Sequence, residues 1–339
     1  MKRALITGYT GQDGSYLAEL LLAKGYRVFG LVRRSATPSD QNVAHLAGRV
    51  EIVLGDLTDQ TSLLAAVEAS QPDEVYNLGA QSFVGVSWVA PEATAQVTAL
   101  GATRLLEAVR AARPGARFYQ ASSSEMFGLT PPPQSEATPF HPRSPYGVSK
   151  LYAHWATVNA RESYGLFACS GILFNHESPR RGLEFVTRKV ARAAARISRG
   201  FEFTVRLGNL EARRDWGFAG DYVEAMWRML QEDQPTDYVI GTGQTQTVRE
   251  LVKLAFDRVG LDYHEHVELD DTLVRPAEVP VLLADATRAR SRFGWEPKVA
   301  FAQLVAMMVD AELALIDGPA RAIGAHRRTV ANERTSAYS

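Results

Sequence analysis

The feature that most limits what this chain can fold into lies near its start. Ala4-Leu5-Ile6-Thr7, a short apolar run, leads directly into Gly8-Tyr9-Thr10-Gly11-Gln12-Asp13-Gly14, and leucines at helical spacing follow at Leu17, Leu20 and Leu21. A buried strand that turns through glycines into an amphipathic helix opens a βα unit. Glycines at such a junction permit a tight turn and close backbone approach, so a diphosphate can rest on the free N–H groups that begin the helix. The G-x-x-G-x-x-G spacing alone is weak, since any βα turn can be glycine-rich; its place between strand and helix supplies the context. Gly8, Thr10, Gly11, Gln12, Asp13 and Gly14 are therefore candidate dinucleotide contacts.

Further along, apolar runs predict strands over 27–32, 50–54, 74–78, 117–121 and 167–173, with helices over 62–70, 94–112 and 146–164 between them. Strands and helices in this alternation predict an α/β fold, a Rossmann-like, doubly wound parallel sheet with helices on both faces. After Leu173 the rhythm changes. An arginine-rich helix over 188–199, strand-like pieces at 201–206 and 238–240, and amphipathic helices over 248–259 and 304–315 point to a smaller, interleaved α/β domain. The expected organisation is a dinucleotide-binding domain over 1–174, to which some later segments return, and a mainly substrate-binding domain over 175–316. Residues 317–339 read as a polar C-terminal tail.

Composition narrows the function classes. Across 339 residues, 37 Lys plus Arg against 38 Asp plus Glu leave a net charge of -1, which argues against a chain built to grip a nucleic-acid backbone. Cys169 is the single cysteine, so neither a disulfide framework nor a multi-cysteine metal site is available. No apolar run reaches the ~18 residues needed to span a bilayer. Residues 1–11 lack the apolar stretch and cleavage site of a signal peptide. The expectation is a soluble, cytoplasmic protein without nucleic-acid or membrane partners.

Three further segments carry chemistry. An NAD site places an acidic residue about 20 positions beyond its glycines; here the second strand ends in Val32-Arg33-Arg34-Ser35. Guanidiniums and a hydroxyl suit a 2′-phosphate, which favours NADP. Asp56, after the third strand, is positioned to accept from the adenine amino group. Tyr146-Gly147-Val148-Ser149-Lys150 puts a phenol and an ammonium one helical turn apart, and a neighbouring cation is expected to lower the phenol pKa for proton transfer. Ser122-Ser123-Ser124-Glu125 ends a strand where open parallel sheets hold their ligand. Ser122 and Ser124 read more readily as helix-capping residues than Ser123. Glu125 is the informative member: a simple oxidoreductase or epimerase needs no carboxylate there, whereas abstracting a proton beside a newly made carbonyl does. His176-Glu177 has no third ligand at helical spacing, so no metal is expected.

With these segments assembled, the chain resembles the extended short-chain dehydrogenase/reductase superfamily, and within it the GDP-mannose 4,6-dehydratase family. The likeness runs from residue 1 to about residue 315. It is carried by residues 10–17, by Ala80-Gln81-Ser82-Phe83-Val84, by Ser144-Pro145-Tyr146-Gly147-Val148-Ser149-Lys150, and most specifically by 171–180, 214–223 and 274–279. The resemblance implies catalytic roles for Ser123, Glu125, Tyr146 and Lys150. It implies cofactor contacts from the glycine turn, Arg33, Arg34, Asp56, Leu57, Leu78, Gln81, Tyr146, Lys150, His176 and Arg181. Substrate contacts are implied for Ser82, Glu125, Asn175, Lys189, Arg214, Arg275 and Glu278. It also implies NADP as cofactor, GDP-mannose as substrate, and a homodimer or homotetramer. Tyr9 replaces a smaller aliphatic residue, Gly79 stands where alanine is common, and Ser123 where threonine is common. Another GDP-sugar enzyme on the same scaffold, an epimerase, a 4-keto reductase or a dehydratase for a different GDP-hexose or heptose, stays open as the alternative. A non-catalytic dinucleotide sensor is disfavoured, because such proteins lose the tyrosine or lysine kept here.

Overall fold

The computed structural model describes residues 1–35, 40–273 and 277–318. Strands β1 (Arg3–Thr7), β2 (Arg27–Val32), β3 (Glu51–Leu54), β4 (Glu74–Asn77), β5 (Arg117–Ser123) and β6 (Ala168–Leu173) join a late strand, Tyr238–Ile240, in one seven-stranded sheet. Its order is β3-β2-β1-β4-β5-β6 and then Tyr238–Ile240, and every pairing is parallel. Helices α1 (Gln12–Ala23), α2 (Gln60–Ser70), α3 (Val84–Val89), α4 (Pro91–Thr94), α5 (Gly101–Ala112) and α6 (Pro145–Tyr164) supply the crossovers. The chain winds outward from β1 in one direction and then returns beside it as β4. The carboxyl ends of β1 and β4 therefore diverge, which is where such sheets open a ligand crevice.

Local chemistry fixes the elements bordering that crevice. Gly8 has a φ of +67°, and a Cβ there would lie 2.8 Å from the Gly79 nitrogen, so only glycine permits the turn from β1 into α1. Helix α6 starts at Ser144, whose hydroxyl accepts from the Gly147 N–H at 3.0 Å, with Pro145 in the first turn. It ends at Gly165, whose φ of +66° suits the left-handed stop.

The predicted helix over 94–112 is not regular. Ala95–Leu100 forms a π-helical turn between α4 and α5. Contacts from outside the helix accompany the wider turn: the Thr98 hydroxyl accepts from the Gln81 N–H at 3.1 Å, and Gly101 allows Leu57 to come close. The strand-like piece expected at 201–206 is shifted, since the strand is Val205–Leu207, paired with Val267–Leu269, and Phe201 and Phe203 are exposed.

Two strands not foreseen from the sequence, β7 (Asn175–Glu177) and Trp216–Phe218, pair in parallel beside the crevice. After them come α7 (Val186–Ser198) and α8 (Ala219–Met229). Tyr222, Val223, Met226 and Met229 of α8 join the core of α1 and the main sheet. A separate apolar core gathers Val190, Ala194 and Ile197 of α7 with Leu251, Val252 and Phe256, and with Leu304, Val305 and Met308. The expected tail lies outside the described residues beyond 318.

Tyr9 is explained by its partner. Its ring is buried over Gly30 of β2, where an added Cβ would lie 2.5 Å from a ring carbon. Gly30→Ala is expected to destabilise the protein by about 1–3 kcal/mol in denaturant unfolding, and adding Tyr9→Val should recover most of the loss. Additive losses in the double variant would contradict this packing.

Candidate active site

A cleft of about 960 Å³ opens over the carboxyl ends of β1, β2, β4 and β5. At one end the glycine turn forms its floor. A Cβ on Gly14 would come within 2.3 Å of the Gly8 carbonyl oxygen, so α1 starts as close to the turn as backbone allows. Gly8, Thr10, Gly11, Gln12, Asp13 and Gly14 all line the cleft. Arg33 and Ser35 border it beyond β2, while Arg34 is exposed outside the lining. Asp56 accepts from the Thr58 N–H at 2.8 Å and the Thr58 hydroxyl at 2.7 Å. Burial alone would push this carboxyl up, but the Thr58 bonds and the Arg33 charge outweigh it and hold the group below its ordinary value. Leu57, Leu78 and Gln81 complete this end. The cradle fits a dinucleotide: closely spaced glycines, open helix N–H groups and a cation beside the second strand.

The other end gathers Ser123, Glu125, Tyr146 and Lys150 in the same cleft. Ser123 is the last residue of β5, and its hydroxyl accepts from the Glu125 N–H at 3.2 Å. Here the expectation about capping is corrected. Ser123 itself caps the short 3₁₀ turn Ser124–Met126, whereas Ser122 faces the Nδ1 of buried His154 at 3.3 Å. The alternating faces of a strand decide this, because adjacent side chains point oppositely. The Ser123 hydroxyl also hydrogen-bonds the Tyr146 phenol.

The expected activation of Tyr146 by Lys150 needs correction as well. Burial pushes the phenol up to about 12; the Ser123 hydrogen bond and the Arg181 charge pull it down, while Glu125 and Asp13 push it further up. Lys150 is not among these influences. Its Nζ stands 5.8 Å from the Tyr146 ring centre and donates to the Ala121 carbonyl at 2.7 Å. Burial pushes the lysine down to about 8, against a smaller upward pull from Asp13. One desolvated pocket penalises phenolate and ammonium alike. The helical spacing revealed a pair, but not the environment that sets its charge.

The segment after β6 forms the third wall. Asn175, His176 and Arg181 line the cleft, as does Ser82. Asn175 Oδ1 is buried and, among the described residues, accepts no hydrogen bond. An orphaned buried acceptor of this kind fits a donor brought by a ligand. His176 pairs with Asp13 at 2.7 Å, and Glu177 accepts from the Thr187 hydroxyl at 2.6 Å. Among the described residues no group of three His, Cys, Asp or Glu side chains is placed to hold a metal.

Not every expected residue reaches this cleft. Lys189 donates to the Arg206 carbonyl at 2.6 Å, Arg214 is buried and bonds the Arg213 carbonyl at 2.9 Å, and neither lines the cleft. Glu278 is half-buried outside the lining, and Arg275 falls outside the described residues. Conversely, Val97 of the π turn and Phe185 line the cleft without having been singled out. The Phe185 ring meets Phe83 edge-on at 5.6 Å. No local pattern marks these side chains; distant loops bring them together.

The sheet order, the glycine turn and the gathered serine, tyrosine and lysine define an extended short-chain dehydrogenase/reductase. Solved structures agree in fold. The Thermus thermophilus UDP-glucose 4-epimerase in complex with NAD is 29% identical, with a TM-score of 0.80, covering 91% of this chain and 98% of its own. RMD from Pseudomonas aeruginosa, complexed with NADPH, is 25% identical with a TM-score of 0.77, covering 93% and 100%. Within that class, the family described as GDP-mannose 4,6 dehydratase matches residues 5–308. GDP-mannose 4,6 dehydratase 1 of Arabidopsis thaliana is 56% identical over 326 residues, 93% of this chain and 90% of the relative. The chain belongs to the GDP-mannose 4,6-dehydratase family, and its reaction is the conversion of GDP-D-mannose to GDP-4-keto-6-deoxy-D-mannose.

The lysine pKa carries a stability consequence. Lys150 titrates near 10.5 when unfolded and at about 8 when folded, so between those values the unfolded chain holds more protons and stability rises with pH. Below about 8 the buried ammonium costs stability in full. Lys150→Met is expected to stabilise the protein at pH 7 by on the order of 2–3 kcal/mol, measured by denaturant unfolding. That advantage should vanish as pH approaches the unfolded value; a pH-independent difference would contradict the depressed ammonium.

Proposed function

We propose that Ser123, Glu125, Tyr146 and Lys150 carry out the dehydration, with NADP in the glycine-turn end of the cleft and the mannose ring beside Glu125. The observation that carries this reading is the meeting of a carboxylate and a phenol in one cleft: Glu125 and Tyr146 both line it, and the Glu125 charge acts on the phenol. Lys150 steadies the hydroxyl end of the pocket from the Ala121 carbonyl, and the Ser123 hydroxyl bridges the phenol and the C4 oxygen.

In this reading Tyr146 acts as the phenolate, a form its burial disfavours and a nicotinamide cation held beside it would favour. It takes the proton of the C4 hydroxyl and gives it up to solvent at the end of the cycle. A nicotinamide dinucleotide held by the glycine turn and Asp56 would supply the redox chemistry, hydride removal from C4 and its return to C6. The 4-ketone acidifies the C5 proton, which Glu125 removes and passes to the departing C6 hydroxyl, released as water. A proton drawn from solvent through Glu125 then returns to C5, so the sum is loss of one water from the sugar.

Arg33 beside the cleft favours a 2′-phosphate, and NADP over NAD, through a forked charge-assisted contact. Ser82 and Asn175 serve the sugar side, with the GDP portion reaching past them to Lys189, Arg214, Arg275 and Glu278. We assign 1–174, with α8 and Tyr238–Ile240, to the cofactor domain and most of 175–316 to the substrate domain; the two apolar cores support that division. Exposed Val148, Tyr152 and Trp155 on α6 support self-association into a homodimer or homotetramer. No helix among the described residues is long and apolar enough to cross a membrane, and buried Cys169 suits a cytoplasmic setting.

Mass spectrometry of GDP-mannose incubated with the purified protein, without added cofactor, tests the reaction; a product lighter by one water is expected, and unchanged substrate overturns the reading. Glu125→Gln should lower product formation roughly 10²–10⁴-fold while leaving dinucleotide affinity intact. Unaltered turnover in that variant overturns the role of Glu125. Arg33→Ala should weaken NADP binding about tenfold while sparing NAD; equal effects on both would remove the 2′-phosphate assignment.

A further inference from the structure

Asp13 stands in an unexpected place. It lies in the first turn of α1, beside the N–H groups on which a diphosphate would rest, and its carboxylate lines the same cleft. An anion at that position competes with a second anion for one helix terminus. Here, however, the carboxylate is fully engaged: Oδ1 accepts from Gln12 Nε2 at 3.0 Å, and Oδ2 faces His176 Nε2 at 2.7 Å.

The histidine contacts define its charge by geometry. His176 Nδ1 faces the Phe174 carbonyl oxygen at 2.8 Å, while Nε2 faces the Asp13 carboxylate. Both partners are acceptors. Against the upward push of burial, the His176 contacts hold the Asp13 carboxyl below its ordinary value. Facing an ionised carboxylate, a neutral imidazole, with one donor and one lone pair, would set that lone pair against an oxygen; the doubly protonated ring satisfies both contacts. The ring stacks on Tyr222 of α8 at 4.6 Å, which holds its plane. Gln12 reinforces the joint, donating to the His176 carbonyl at 3.0 Å and accepting from the Ser178 hydroxyl at 2.8 Å.

We propose that His176 is a positioning residue that cancels the Asp13 charge as a buried imidazolium, and so makes the head of α1 receptive to the dinucleotide diphosphate. The inference rests on the dinucleotide reading above and adds to it a specific source of pH dependence. Other charges around the ring are accounted for. Arg181 opposes the protonated ring but is paired through Nε with Glu177 at 3.1 Å. Arg180 is turned to Ser15 and Glu19, and Asp215 to Thr242 and Gly243. Lys150 and Tyr146 on α6 both feel Asp13, and Glu125 acts on Tyr146.

The protonation balance agrees in direction. Burial would drive His176 down, yet the Asp13 charge and hydrogen bond raise it above its ordinary value. This direction favours the charged ring more than in a free imidazole, and the ring gives its proton to solvent as pH rises. From that point Asp13 is uncompensated, and affinity for the diphosphate falls.

The test is a double-mutant cycle on NADP affinity, read by calorimetry with the whole protein at several pH values. His176→Gln is expected to weaken binding about tenfold at pH 7, and Asp13→Asn, which removes the competing anion, to tighten it. In the Asp13→Asn background, His176→Gln should then cost nothing, and the part of the alkaline loss due to His176 should vanish; the part due to Lys150 remains in all four proteins. An equal loss from His176→Gln in both backgrounds overturns the proposal, as does no loss in either. Ring ¹⁵N shifts of the unaltered protein give a readout independent of folding in the variants: a doubly protonated His176 at pH 7 is expected, and a neutral ring overturns the proposal. A protein that binds no dinucleotide at any pH overturns the dinucleotide reading itself, whereas binding without coupling overturns only the role of His176.

Discussion

Everything at this site depends on how closely the start of α1 approaches the end of β1. Gly8 turns the backbone through a left-handed φ with no room for a Cβ beside the Gly79 nitrogen, and Gly14 lets the first turn of the helix sit almost on the Gly8 carbonyl. Thr7 secures the other side, accepting from the Gly79 N–H at 3.0 Å and donating to Asn77 Oδ1 at 2.7 Å. Side chains at these glycines would push α1 away from the sheet, and the cleft between β1 and β4 would lose its floor. The chemistry of β5 and α6 would then face a surface rather than a pocket.

Burial gives that pocket its character and also makes it costly. Tyr146 and Lys150 are both taken out of water, and each is pushed toward its neutral form, the phenol up to about 12 and the lysine down to about 8. At neutral pH the phenol is uncharged and the lysine still mostly protonated, as exposed groups of the same types would be, but the ammonium is held there at a cost. The surrounding polar contacts, from Ser123 to the phenol and from the Ala121 carbonyl to the ammonium, partly offset that penalty. The cost to stability falls on identifiable atoms, the Tyr146 phenol and the Lys150 ammonium.

The second feature of the site is its attachment to the segment after β6. Gln12, Asp13, Ser15 and Glu19 on α1 bond His176, Ser178 and Arg180. The residues that hold the head of α1 thus adjoin Asn175, whose buried oxygen awaits a donor. A change at the glycine-turn end of the cleft can reach the Asn175 end through a few side chains, without a long path through the core.

Much of this was legible in the residues before any coordinates. Short-range steric rules act on neighbours in the chain, so Gly8-Tyr9-Thr10-Gly11 announced the turn. Tyr146 and Lys150 announced a helical face, and Ser123-Glu125 a strand end opening on the cleft. The alternation of strands and helices was enough for the parallel sheet, because handedness and burial leave few other arrangements. What depends on distant partners was decided only by the tertiary structure. The π turn at Ala95–Leu100 meets Gln81 and Leu57, and α8 returns to the first core. Tyr9 owes its fit to Gly30 on the next strand, and Asp13 finds its partner in a histidine 163 positions away. The charge of Tyr146 and Lys150 belongs with these, since sequence spacing shows which groups meet, whereas the dielectric around them is set by every segment that folds over the site.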